Sequence, residues 1–309
     1  MAAAIHDPAL AAAYAECERL ARSHYENFPV ASRLLPAAMR PHVAALYAFA
    51  RTADDFADEG RTPMADRFRL LDDWQSRLHA CVTDCAPDDR VFLALGATIR
   101  ACHLPLSLFD DLLSAFRQDI TTHRYDTWAS LLDYCRRSAN PVGRLVLRIA
   151  GHDNAALDAS SDALCTALQL TNFWQDLELD WRNGRLYVPL DDIVAEGADV
   201  ADLDAHRMSE PWQRAMSRVA ARTQASFEAG RAVCDGVRGR LRYELRFTWL
   251  GGMRMLERLA SVNYDVFARR PRIGFADVPL LILHAAWWNV HRERSQARGA
   301  GRDAPVTKP

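Results

Sequence analysis

The sequence predicts a single all-α domain, and three observations carry that prediction. Apolar residues recur at helical spacing along most of the chain, with no alternating strand segment and no internal repeat. Breakers recur at intervals that cut the chain into helix-length pieces. Half of the 309 residues are hydrophobic, enough for a sizeable core, and no Ser/Gly-rich linker divides them.

Taken in order, helices are expected over 7–25 and 38–59, separated by the breaker FPVASRLLP. EGRTP precedes the next, over 64–82, and CAPDD separates that from 89–102. Helices over 105–119 and 127–138 follow, and NPVG opens one over 141–151. The helix over 160–182 ends at NGRLYVP, and 183–208 reads as a surface loop with one short turn. Helices over 209–235, 239–268 and 277–297 complete the set, with RRPRIGF before the last. The domain is expected to span residues 1–296, and the tail ARGAGRDAPVTKP, 297–309, is expected to be disordered.

Bulk properties exclude several function classes. A net charge of −2 and a pI near 6.6 give no electrostatic footprint for nucleic acid. Seven cysteines include no C-x-x-C pair; Cys81 and Cys85 lack the second ligand pair of a zinc site. They read as reduced, mostly buried thiols of a cytoplasmic protein. The N-terminus lacks the basic start and compact apolar run of a signal peptide. No segment approaches the ~18 uninterrupted apolar residues of a membrane span, while a peripheral membrane contact stays open. His123 and the pair Trp287–Trp288 read as packing or surface residues, the pair also marking a candidate membrane or dimer patch.

Chemistry concentrates in two acidic stripes. On a helix over 168–181, Asn172, Asp176 and Asp180 fall within ~80° and rise ~12 Å along the axis. Gln169 shares the stripe; Leu168 and Leu179 border one side, Phe173 and Leu177 the other. Carboxylates at i,i+4 repel, and removing them from water is costly without a cation. No lysine or arginine occupies the stripe. Oxygen ligands with an amide carbonyl suit Mg²⁺, which completes its shell with water and phosphate. The alternative is a helix face that pairs with arginines from other elements. The second stripe lies in LYAFARTADDFADEG, where Tyr47, Arg51, Asp54 and Asp58 follow at helical spacing within ~60°. Its alternative is an ordinary solvated face, although aspartates this crowded make a poor helix interior. Two such helices suggest facing walls of one cavity. Metal ions between them would clamp a diphosphate, Arg51 and Arg185 would bind its oxygens, and the apolar borders would enclose a hydrocarbon.

RLLP…RPHVAALYAFARTADDFADE, YCRRSANPVG and LQLTNFWQDLELDWRNGRLYVP resemble the signature regions of the squalene/phytoene synthase family, and the likeness covers roughly residues 14–275. It implies an isoprenoid-synthase helical bundle with a central cavity. It also implies that Asp54, Asp58, Asn172, Asp176 and Asp180 are Mg²⁺–diphosphate ligands. Arg51 and Arg185 match phosphate-binding arginines, and His24 a histidine near the diphosphate. Tyr47, Tyr134 and Tyr187 match cavity tyrosines; Gln169, Ala139, Val142 and Gly143 match cavity walls. The chain departs from the family pattern at Gln175, at Tyr25 and Asn27, and at Asn140–Pro141. HYENFPVASRLLP and NFWQD look like the bacterial hopanoid-pathway branch, which converts presqualene diphosphate to hydroxysqualene without a nicotinamide cofactor. Asn140 and Gln175 are then candidates for placing the attacking water, with plain backbone hydrogen bonding as the alternative for each. Two other readings stay open: condensation of two prenyl diphosphates, and a non-catalytic scaffold of the same fold.

Overall fold

The computed structural model describes residues 7–23, 34–58, 62–83, 89–274 and 277–288. These form α1 (Pro8–Ser23), α2 (Arg40–Asp58), α3 (Met64–Ala80), α4 (Arg90–Cys102), α5 (Leu106–Asp119), α6 (Trp128–Ser138), α7 (Asn140–Ile149) and α8 (Ala155–Gln175). They continue with α9 (Leu177–Arg182), α10 (Leu190–Glu196), α11 (Ala201–Asp204), α12 (Glu210–Gly230), α13 (Val233–Gly236), α14 (Gly239–Ser261) and α15 (Val278–Ala286). Among the described residues there is no β-strand, so the all-α expectation holds. The proposed tail, 297–309, lies outside the described residues.

Local chemistry sets many of the helix ends. Asp89 caps α4 by accepting from the Val91 N–H at 2.8 Å. Thr127 and Ser130 form a reciprocal capping box on α6. Asn154 accepts from Ala156 and Leu157, which starts α8 at residue 155 rather than the expected 160. The expected helix 160–182 is also broken, at Asp176 (φ −102°, ψ 9°). The i→i−4 bonds Asp176 N–H to Asn172 O (2.9 Å) and Asp180 N–H to Asp176 O (2.8 Å) carry on across the break, so α9 continues the course of α8. The expected helix 239–268 stops at Ser261, because Asn263 and Tyr264 take positive φ. The expected 209–235 is likewise divided into α12 and α13.

The loop 183–208 corrects the sequence expectation most clearly. Leu186, Tyr187, Val188, Ile193 and Leu203 are buried, and the segment holds α10 and α11. A buried segment must satisfy its own backbone. This one does so against 123–126: Leu186 N–H donates to His123 O (2.8 Å), and Leu190 N–H to Tyr125 O (2.9 Å). An isolated parallel bridge joins Arg124 and Leu186. The stretch around His123 is therefore the partner that holds GRLYVP in place.

Two apolar cores meet on α2. Phe49 joins Trp74, Phe92 and Phe109 in the smaller one, with ring centroids of Phe49–Phe109 at 5.4 Å and Trp74–Phe92 at 4.4 Å. Val43, Ala44, Ala45 and Ala48 face the larger core, where Trp174, Trp212, Phe227 and Trp288 are buried. α8 is the central helix of this larger core and packs on α7, α12 and α14. The six described cysteines are all free thiols, and burial pushes Cys17 up to about 12 and Cys81 to about 11. Four of the six are buried and Cys102 and Cys165 are half-buried, in line with the expectation of mostly buried thiols.

The α8–α12 packing depends on Gly230, where a Cβ would sit 2.6 Å from the Leu164 backbone nitrogen and 2.8 Å from its Cα. Backbone of a central helix does not yield. Gly230→Ala is expected to lower unfolding stability by about 1–3 kcal/mol in urea titration; a change below ~0.5 kcal/mol would show that the two helices slide apart freely.

Candidate active site

One face of α2 climbs from hydrocarbon to charge. Val43 lines a cavity of about 280 Å³. Higher on the same helix, Tyr47, Ala50, Arg51 and Asp54 line a second chamber of about 220 Å³. Val142 of α7 lines both, so the two chambers share this side chain as a wall. Arg51 pairs with Asp54 (3.3 Å) and Asp55 (2.5 Å) of its own helix. Burial opposes the guanidinium charge, but the two aspartates outweigh it, and its pKa lies above the ordinary value. Its Nε is buried and finds no acceptor among the described residues, which leaves a donor suited to an anionic ligand.

The main chamber is walled by α7, α8 and α14. Leu168, Thr171, Asn172 and Gln175 line it from α8, and Leu245, Gly252 and Met255 from α14. Gly143 permits α7 to approach: a Cβ there would collide with Ser161 Oγ and Cys165 Sγ on α8. Asn172 and Gln175 thus stand where the apolar wall gives way to Asp176. The cation that the sequence left open for this stripe comes from the loop after α14. Arg270 binds Asp176 Oδ1 through Nε (2.8 Å) and a terminal nitrogen (2.5 Å). Next to it, Gln175 Nε2 donates to the Pro271 carbonyl (2.9 Å). Pairing with an arginine from another element, the alternative weighed for the α8 stripe, is therefore realised at Asp176.

Beside the stripe lies an aromatic stack. Phe173 and Tyr187 lie face to face, with centroids 3.7 Å apart and planes 4° from parallel. Tyr134 packs against both and donates its hydroxyl to the buried Asp119 at 3.0 Å. Burial, and then Asp119, pushes both phenols well above their ordinary range, while Arg185 and Asp180 lie near enough to act on Tyr187. Both tyrosines stay neutral and offer π faces and fixed dipoles. Arg185 is held to the end of the stripe by its N–H, which donates to Asp180 O at 2.8 Å.

The structure sorts the remaining expectations. Tyr47, Arg51, Asp54, Val142, Gly143 and Asn172 line the two chambers. Tyr134 and Tyr187 are buried in the neighbouring stack, Ala139 is buried at the α6–α7 junction, and Gln169 is half-buried on α8. His24 and the Asp58 side chain lie outside the described residues. Asn140 is corrected: it is buried and accepts from Thr166 Oγ1 at 2.9 Å, away from either chamber wall. Asp119, Arg270 and the buried Glu244, which lines the main chamber, were missed. Only the arginine cluster RRPR hinted at Arg270, and nothing local ties it to Asp176.

The donor set fits Mg²⁺ in kind. Asp54, Asn172, Asp176 and Asp180 offer hard oxygens, and the stripes supply no imidazole or thiolate. Among the described residues no three His, Cys, Asp or Glu side chains converge on a ready-made metal centre. The donors sit on separate elements, an arrangement that suits ions whose shells are completed by water and a diphosphate. Tyr134→Phe keeps the ring but strips the hydroxyl from buried Asp119. It is expected to cost about 1.5–3 kcal/mol in urea unfolding; an unchanged midpoint would show that Asp119 does not depend on this bond.

Comparison with known proteins agrees with this geometry. The family model for squalene/phytoene synthase matches residues 21–277. A hydroxysqualene synthase of Sinorhizobium fredii is 35% identical over 288 residues, covering 89% of this chain and 92% of the relative. Another, from Zymomonas mobilis, is 40% identical over 203 residues, covering 65% of this chain and 67% of the relative. The crystal structure of squalene synthase HpnC from Alicyclobacillus acidocaldarius superposes with a TM-score of 0.78 at 40% identity, covering 82% of this chain and 95% of that one. With most of its length matched by the family model and by these relatives, the chain belongs to the squalene/phytoene synthase family.

Proposed function

We propose that the protein ionises presqualene diphosphate and delivers water to the rearranged cation, releasing hydroxysqualene and diphosphate. The observation that carries this is the junction at Val142 between an apolar chamber and a chamber lined by Arg51 and Asp54. A molecule that is hydrocarbon at one end and polyanion at the other fits that junction. The choice within the family rests on the relatives from Sinorhizobium fredii and Zymomonas mobilis, both hydroxysqualene synthases.

In this reading Asp54 and Asp58 on α2, and Asn172, Asp176 and Asp180 on α8–α9, hold Mg²⁺. When bound, Mg²⁺ supplies Lewis-acid neutralisation of the leaving diphosphate. Arg51 and Arg185 add charge-assisted hydrogen bonds to its oxygens, and His24 lies close to it in the family pattern. Tyr47, Ala139, Val142, Gly143 and Gln169 shape the wall around the reacting carbons. The π faces of Tyr134 and Tyr187 favour positive charge over neutral hydrocarbon. Capture of water forms one C–O bond and releases one proton, which the departed diphosphate accepts. Gln175 is the polar wall residue best placed to orient that water, because its amide is anchored by Pro271. No nicotinamide is required, because no carbon is reduced. A substrate and product this apolar give the protein a reason to work at a membrane surface.

Purified protein given presqualene diphosphate and Mg²⁺, with no nicotinamide, is expected to yield hydroxysqualene in a lipid extract. Turnover of farnesyl or geranylgeranyl diphosphate instead would place it among the condensing enzymes. Asp176→Asn should cut kcat/KM by roughly a hundredfold or more with helical content unchanged; normal turnover would remove Asp176 from the metal site.

Arg270 gives a second test. In the substrate-free protein its ion pair competes with a divalent ion for Asp176. Arg270→Gln is expected to tighten Mn²⁺ binding roughly twofold to fivefold, equivalent to ~0.5–1 kcal/mol of ion pairing. Unchanged affinity by titration would mean that the pair and the ion do not share this carboxylate.

A further inference from the structure

The helix α15 is built with its apolar side outward. Leu280, Leu283 and Trp287 follow at i, i+3 and i+7, the spacing of one helical face, and they are 37%, 50% and 63% exposed. Ile282 borders the stripe at 53%. The opposite side is anchored. Trp288 is buried, stacks edge-on to Trp249 at 5.3 Å, donates its indole N–H to Asp235 at 2.9 Å, and lies under the guanidinium of Arg231 at 4.4 Å. At the start of the helix, Arg258, the Gly274 N–H and Arg254 hold the buried Asp277 carboxyl at about 2. The outward stripe is therefore a fixed feature of the fold.

Two further observations say what covers it. The first is charge. Residues 231–309 contain fifteen basic and seven acidic side chains, whereas the chain as a whole carries −2. Arg240, Arg269 and Arg272 in this region are exposed and make no ion pair among the described residues. A two-fold dimer through this face would set the same positive charge against itself, whereas an anionic surface is complementary. The second is continuity with the cavity. Ile273 lines the main chamber yet is 38% exposed, and the adjoining Gly274 is tied to the start of α15 by its N–H, which donates to the Asp277 carboxylate at 2.9 Å. The loop that lines the chamber at Ile273 is thus fastened to the helix that carries the stripe.

We propose that α15 and the arginine-bearing loop before it dock on an anionic phospholipid bilayer, with Leu280, Leu283 and Trp287 entering the interface and Arg269 and Arg272 meeting the headgroups. No described helix is long and apolar enough to cross a membrane, so the contact is peripheral. Its purpose follows from the lipid substrate proposed above, and its geometry does not depend on that substrate.

Cosedimentation of the full chain with vesicles tests it. Vesicles of phosphatidylcholine with phosphatidylglycerol are expected to bind roughly tenfold more tightly than phosphatidylcholine alone, with the difference lost at high salt. Leu283→Glu/Trp287→Glu should lose roughly tenfold in binding while keeping its circular dichroism and its turnover of detergent-dispersed substrate. Arg269→Gln/Arg272→Gln should flatten the salt dependence. Equal binding by the Leu283/Trp287 variant, equal binding to both vesicle types, or a dimer in solution that this variant breaks would each overturn the proposal. A protein that binds vesicles as described but does not turn over presqualene diphosphate would retain the docking surface and lose the catalytic reading.

Discussion

Carboxylates set against hydrocarbon must be given a cation, and this requirement shapes the molecule. On α2 the cation is Arg51, one helical turn below Asp54 and Asp55. On the second stripe it is Arg270, brought from nearly a hundred residues away to Asp176. Neither pair is deeply buried, so neither contributes much to stability. What they do is hold acidic groups in place at the edge of an apolar cavity. The same arginine chemistry that satisfies an aspartate also binds phosphate oxygens. On the proposed reading, these same groups would engage a metal diphosphate.

The rest of the fold keeps the two stripes apart. α7 packs on α8 and touches α2; its Val142 lines both chambers, and its Gly143 lines the main one. Gly143 lets α7 lie close on Ser161 and Cys165. Behind α8, Trp174 donates to Thr223 at 2.8 Å and fixes the helix against α12. Movement of α8 would then disturb core and site together. The chamber-lining face of α8 is rigid because its opposite face is core.

Much of this was legible in the sequence, for a definite reason. The stripes of α2 and α8 are local periodic patterns, and a period of 3.6 residues survives a boundary error of several positions. The likeness of GRLYVP to its family counterparts was also visible. Its burial was not, because that depends on backbone bonds to His123 and Tyr125, some sixty residues earlier in the chain. Asn140 stood as one candidate for a cavity residue, with plain hydrogen bonding beside it, because YCRRSANPVG marks the region without telling which side chain turns inward; its partner Thr166 lies on another helix. Arg270 and Asp119 were missed for the same reason. Non-local pairing of single polar side chains leaves no periodic trace.

The division of labour on α14 shows how site and surface are joined. One face of this helix, through Leu245, Gly252 and Met255, lines the main chamber. Trp249, on the same helix, receives Trp288 and so carries α15. Its C-terminal end leads into the loop that brings Arg270 to Asp176 and Pro271 to Gln175. The loop that positions polar groups at the chamber is thus covalently continuous with the helix that presents Leu283 and Trp287 to the outside. Displacing α15 would strain the turn at Asp277 and, through it, the segment that holds Arg270. A bilayer in contact with this face would press on the loop that lines the main chamber at Ile273.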